Sequence, residues 1–179
     1  MKKSYTYFRR VHATLDTPNI VVRLSKAPFI HFLIYGLSFI QGYGALYLAS
    51  ILFNTTNVIM TIPLGLAAFF NAVYYRNNFV YFLSFIFFIW GVYGFMNPLF
   101  IALFPFVFLL LSFLIDSFFF GVLFTNIVFF FIIWTMNLPA LYLPFNFILF
   151  IACFLAFRKP FFDYIEGNPT SILQLFNQR

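Results

Sequence analysis

The distribution of charge constrains this chain more than any other feature. Residues 27–75, 77–115 and 117–157 contain no Lys, Arg, Asp or Glu. Each stretch is roughly twice the ~20 apolar residues that a helix needs to cross a bilayer, so each is read as a pair of spanning helices. Turn signals divide every stretch near its middle, at Asn54-Thr55-Thr56-Asn57, Asn97-Pro98 and Asn137-Leu138-Pro139. The expected fold is an all-α integral membrane protein with six transmembrane helices in three hairpins, over 29–53, 58–75, 79–96, 99–115, 118–136 and 141–157. Charged residues make up only 8% of the chain and hydrophobic ones 64%, against about 25% charged in soluble domains, which excludes an ordinary soluble fold. The apolar runs are continuous rather than alternating, which argues against a barrel, and an open sheet would leave unpaired edges in lipid.

Orientation follows from the cations. Six spans place the N-terminus, Arg76, Asp116 and the C-terminus on one side. Lys2, Lys3, Arg9, Arg10, Arg23, Lys26, Arg76, Arg158, Lys159 and Arg179 all lie there, and the opposite side has no Lys or Arg. That is the bias expected of the cytoplasmic or matrix face, and an odd number of spans would separate the two basic termini. The net charge of +6 is therefore topological, suited to anionic lipid headgroups and not to nucleic acid. Three regions result: a basic surface tail (1–28), a transmembrane helical bundle (29–157) and an interfacial C-terminal tail (158–179). The first region is too long and polar for the charged part of a signal peptide, and Asp16 and Pro18 set it apart from a mitochondrial presequence. The last places Phe161, Phe162, Tyr164 and Ile165 beside Asp163 and Glu166, and breaks at Gly167-Asn168-Pro169.

Within the spans, Ser38, Gly42, Ala45 and Ala49 form one small-residue stripe, and Gly65, Ala68 and Ala72 offer a matching face in the second span. Small residues let helix backbones approach closely, so a tightly packed first hairpin is expected; a Gly-lined lipid or quinone cleft is the alternative. Pro63 and Pro105 should bend their helices. Gln41, Asn71, Asn126 and Asn146 can bond between helices. Asp116 falls where a turn is required, so an interfacial carboxylate is expected there rather than a proton relay. His31 stands at the membrane entry, where an imidazole needs no ligand role, and no second histidine lies at comparable depth for haem ligation. Cys153 is the only cysteine, which excludes an intrachain disulfide and a thiolate cluster. The chain has no Gly-rich phosphate loop, His-Glu-x-x-His or Cys-x-x-Cys motif. No catalytic, metal-ligating or cofactor-binding residue is assigned, structural phospholipids aside, and the chain is not expected to be an enzyme by itself.

Phenylalanine supplies 33 of 179 residues, more than membrane spanning requires. Phe codons are T-rich and Lys codons A-rich, so a T-biased coding strand would give this pattern. In this the chain resembles the divergent, Phe-rich inner-membrane proteins encoded in protist mitochondria, ciliates in particular, many of which belong to respiratory-chain complexes. Within it, Tyr81–Leu103 (YFLSFIFFIWGVYGFMNPLFIAL) resembles the start of subunit 6 of respiratory complex I, and an acidic residue and Met136-Asn137 follow in similar order. The chain departs from that pattern in its shorter spacing, in two preceding spans, and in Gly42-Tyr43-Gly44-Ala45 standing ahead of the match. The resemblance implies a non-catalytic integral subunit of a mitochondrial respiratory assembly, in the complex I membrane arm or a neighbouring complex. Its partners would be other membrane subunits and lipid, and its location the inner membrane, organelle-encoded. A small polytopic transporter or transporter subunit, or a bacterial plasma-membrane protein, is the alternative.

Overall fold

The computed structural model describes residues 28–53, 64–69, 79–139 and 142–166. Helix dominates them and no strand occurs among them. The elements are α1 (Pro28–Phe53), α2 (Phe79–Met96), α3 (Leu99–Ile115), α4 (Phe118–Thr135), α5 (Tyr142–Ala156) and the short α6 (Arg158–Ile165); residues 64–69 are also helical. Five of the six expected spans thus reappear as helices with ends within one residue of the sequence reading. The second falls mostly outside the described residues.

The turns at Asn97-Pro98, Asp116 and Asn137 form where the sequence placed them; the one expected at Asn54-Thr55-Thr56-Asn57 lies outside the described residues. After α2, the Asn97 carboxamide accepts a hydrogen bond from the Leu99 N–H at 2.9 Å, and Pro98, at φ −55°, begins the next helix with a backbone already suited to it. The Trp90 indole N–H donates to the Ile101 carbonyl at 2.9 Å and braces α2 against α3. After α3, Asp116 takes the left-handed conformation (φ 54°, ψ 35°), which Asp and Asn tolerate better than other side-chain-bearing residues. The Ser117 N–H then donates back to the Ser112 carbonyl at 3.1 Å, closing a Schellman-type cap, while the Ser117 hydroxyl accepts from the Phe120 N–H and starts α4. Asn137 (φ 50°) ends α4 in the same way, with the Leu138 N–H donating to the Ile133 carbonyl.

Helix directions follow from which residues meet. Tyr35–Phe87, Phe39–Trp90 and Tyr43–Phe95 pair their rings at 5.1, 5.2 and 5.6 Å. The numbers rise together, so α1 and α2 are parallel. Tyr93 meets Phe100 and Phe104, and Trp90 reaches Ile101, so α2 and α3 are antiparallel. Phe85 meets Phe157 while Tyr93 meets Asn146, so α2 and α5 are antiparallel as well. One end of the bundle therefore gathers the start of α1, α2 and α4 with the end of α3 and α5; Phe53, Asn97 and Asn137 mark the other.

α2 sits at the centre. Phe85, Ile86, Phe88, Ile89, Val92 and Tyr93 are all buried, and no described side chain of the helix is exposed. α3 buries a single stripe of Phe100, Phe104, Phe108 and Ser112, spaced one helical turn apart. The closest approach joins α1 to α2. A Cβ on Gly42 would strike the Phe88 carbonyl and lie 3.2 Å from the Val92 nitrogen; a Cβ on Gly91 would strike the Phe39 carbonyl and lie 2.9 Å from the Tyr43 nitrogen. The two glycines thus interleave, each against the other helix's backbone. Ser38, Gly42 and Ala49 are buried as the stripe requires, and Ala45 is half-buried. The partner differs from the one expected: Gly42 meets α2, whereas Gly65 faces Ile148 of α5 at 3.9 Å. Ala68 is buried and Ala72 lies outside the described residues. The physical reason is that only a bare backbone opposite Gly42 permits this approach, and the Gly91 face supplies it. Gly121 likewise admits Ser112 against α4.

Among the described residues, Phe29–Leu52 and Phe118–Thr135 are long and apolar enough to cross a membrane, and Leu99–Ile115 and Tyr142–Ala156 are apolar but shorter. The turns on either side of α3 keep it to 17 residues, which extend only about 25 Å. Among the described residues every helix but α2 exposes large apolar side chains, with Phe32 at 74% and Leu114 at 73%.

Gly42→Ala should lower stability by about 1–3 kcal/mol, because the added methyl meets backbone that cannot step aside. Gly36→Ala, where nothing lies within 4 Å, should leave it unchanged or raise it by up to about 1 kcal/mol. Denaturant titration in mild detergent measures both.

Candidate functional site: a buried polar clamp

Three polar side chains from three helices converge in the apolar interior. Tyr93 lies one turn before the end of α2, Asn126 in the middle of α4, and Asn146 one turn into α5. All three are buried, Tyr93 and Asn126 completely. The Tyr93 hydroxyl donates to Asn126 Oδ1 at 2.7 Å and accepts from Asn146 Nδ2 at 2.6 Å. Asn146 Nδ2 also donates to the Asn126 backbone carbonyl at 3.2 Å. Asn126 Nδ2 donates to the Val122 carbonyl at 2.8 Å and to Cys153 Sγ at 3.5 Å. A hydroxyl offers one donor and two acceptor positions, and a carboxamide offers both kinds. The Tyr93 hydroxyl, both ends of the Asn126 carboxamide and the Asn146 amide nitrogen are therefore all paired within the protein.

Aromatic rings seal the cluster. Phe129 and Phe104 lie 4.5 and 5.4 Å from the Tyr93 ring, and Phe100 packs edge-on against both Tyr93 and Phe129. Hydrogen bonds so enclosed are stronger than in water, and a missing partner correspondingly costs more. Chemically the arrangement is a three-way helix clamp of neutral donors and acceptors. Of the other buried hydroxyls, those of Ser38 and Thr125 are satisfied within their own helices by the Ile34 and Gly121 carbonyls, whereas those of Ser84 and Ser112 find no hydrogen-bond partner among the described residues.

The remaining expected residues are scattered. Asp116 is exposed at the α3–α4 turn, at the end of the bundle that also holds Arg158. His31 is buried in the first turn of α1, stacked on Tyr35, which in turn stacks on Phe87. Gln41 is exposed on α1. Pro105 lies inside α3; Pro63 and Asn71 fall outside the described residues. Among the described residues no group of three His, Cys, Asp or Glu could hold a metal ion. Sequence reasoning found Asn126 and Asn146 but not Tyr93 or the thiol of Cys153. The available signal was that two carboxamides in apolar spans need a partner, and Tyr93 is a hydroxyl deep in a third. No protein-family model, curated protein or solved structure matches the chain.

Tyr93→Phe removes the hydroxyl and strands groups on both Asn126 and Asn146, so it should destabilise the fold by about 1–3 kcal/mol. Combined with Asn146→Leu it should cost clearly less than the two single changes added together, since both break the same network. A double-mutant cycle of detergent unfolding reads this out. At the turn, Asp116→Asn should be neutral and Asp116→Val should cost about 1–2 kcal/mol, because a β-branched residue resists the left-handed conformation. The same titration checks it.

Proposed function

We propose that the chain is a non-catalytic integral membrane subunit of a mitochondrial respiratory-chain assembly, crossing the inner membrane six times with both termini in the matrix. The observation that carries the membrane reading is the outward apolar surface: α1, α3, α4, α5 and α6 each turn Phe, Leu or Ile outward, over an interior that is already filled. Exposed apolar area on this scale calls for lipid or protein neighbours. The alternation of helix directions supports six crossings. α1 and α2 are parallel neighbours, and 58–75 is an uncharged, mostly apolar stretch of about the length a spanning helix needs.

The respiratory assignment rests on the Phe-rich composition and on the resemblance of Tyr81–Leu103 to complex I subunit 6. A clamp of neutral Tyr and Asn groups suits a subunit whose task is to hold a fixed shape against neighbours. In this reading the cations at the matrix face meet anionic headgroups or matrix-facing subunits, and structural phospholipids fill the outer grooves. A small transporter is the competing reading, and migration on a native gel separates the two.

Mitochondrial membranes solubilised in digitonin and resolved by native electrophoresis, with mass spectrometry of each band, test the assignment. The chain should co-migrate with a respiratory complex of many subunits. Recovery only as a small oligomer, away from every such complex, would refute it.

A further inference from the structure

Pro105 interrupts α3 at a point where α2 supplies what the proline removes. A proline nitrogen carries no hydrogen, so the carbonyl four residues earlier loses its intrahelical donor. In α3 that carbonyl belongs to Ile101. It is the same carbonyl that accepts the Trp90 indole N–H at 2.9 Å. Gly94, one turn after Trp90 on α2, meets the same residue: a Cβ built there would lie 3.0 Å from Ile101 Cγ1. Bare backbone at Gly94 thus seats the Ile101 side chain while Trp90 serves its carbonyl. The indole is itself clasped by Phe39 of α1 at 5.2 Å and by Phe87 of its own helix at 5.3 Å. The attachments of α3 also change at the proline. Before it, Phe100 and Phe104 pack on Tyr93 of α2. Beyond it, Phe108 stacks on Phe118 and Ser112 lies against Gly121, both at the start of the chain's next helix, α4.

We infer that Pro105 is a hinge in α3 and that the Trp90 indole is the latch that holds it closed. Backbone groups freed by proline in apolar helices are tolerated where a neighbouring helix satisfies them again, and the indole does this for the one carbonyl that Pro105 strips. With the N–H in place, α3 is tied to α2 across the interruption in its hydrogen-bond ladder. Without it, the segment over 106–115 turns about Pro105 together with α4, as hinges let a few residues absorb a change of angle. Phe39 holds the indole from the α1 side, so the latch depends on the close approach of α1 to α2 at Gly42 and Gly91.

The inference rests on contacts among the first four helices and not on which assembly holds the chain. The test is made on the full chain in lipid nanodiscs. Trp90→Phe keeps a ring between Phe39 and Phe87 but removes the N–H. It should raise the unfolding equilibrium constant about threefold or more, the factor of one average interhelical hydrogen bond in a bilayer. In a Pro105→Ala chain the restored backbone N–H serves Ile101, so Trp90→Phe should raise the constant by a smaller factor; the lost ring size is common to both backgrounds and cancels. Spin labels at Phe32→Cys and Leu114→Cys, both exposed at the end of the bundle beyond the hinge, should show a broader distance distribution with Trp90→Phe. Adding Pro105→Ala should narrow it again. Labels at Ile51→Cys and Leu99→Cys, exposed at the other end, should keep their distances throughout; native Cys153 is buried. An equal factor in both backgrounds, unchanged distances at Phe32→Cys and Leu114→Cys, broadening at both pairs, or broadening that Pro105→Ala fails to reverse would each overturn the inference. If Trp90→Phe alone does not fold, recovery on adding Pro105→Ala upholds it, and failure of that double variant while Pro105→Ala folds overturns it.

Discussion

The parallel contact between α1 and α2 is the constraint from which the rest of the architecture follows. Gly42 and Gly91 lie backbone against backbone, and three ring pairs climb in step along the two helices. Parallel neighbours in one chain cannot be joined by a short turn. The later helices alternate around α2 from that starting direction. In a chain this apolar, hydrophobicity does not distinguish an inner face from an outer one, because both are Phe and Leu. Steric fit at bare backbone makes that distinction for the first pair, and the hydroxyl of Tyr93 makes it for α2, α4 and α5.

These two devices have different consequences. The glycine contact gains dispersion attraction along a long stretch of helix and fails when a single methyl is added. The Tyr93 clamp is directional. Rotating α4 by one residue would carry Asn126 away from both Tyr93 and Cys153, leaving several buried polar atoms without partners. The clamp thereby selects one rotation for three helices whose apolar surfaces would accept many. In the membrane subunit proposed above, that selection would keep the surface presented to lipid and neighbours constant.

Much of the helix layout was legible in the residues. Asn97-Pro98, Asp116 and Asn137 mark real turns because each does something a spanning helix cannot accommodate: a fixed φ after a capping carboxamide, or a left-handed residue. The faces were less legible. A helix that is apolar all round has no stripe to read, so nothing in the Phe-rich run around Trp90 announced that Gly91 is the residue against which Gly42 packs. The small residues of 65–72 looked like the better partner because they repeat at helical spacing, whereas Gly91 works as a single position. The clamp was half legible for a related reason. Asn126 and Asn146 stand out in apolar spans, but Tyr93 passes for one more aromatic until its hydroxyl is placed between them.

The central claim is that the helices alternate across a membrane, with Met136 at one surface and Glu166 at the other. Both residues are exposed, and the single native thiol, Cys153, is buried. The direct measurement is labelling of Met136→Cys and Glu166→Cys with a membrane-impermeant maleimide in intact mitoplasts, and again after permeabilisation. Met136→Cys should label in intact mitoplasts, and Glu166→Cys only once the membrane is opened. Labelling of both from the same side would contradict the alternation and the six crossings built on it.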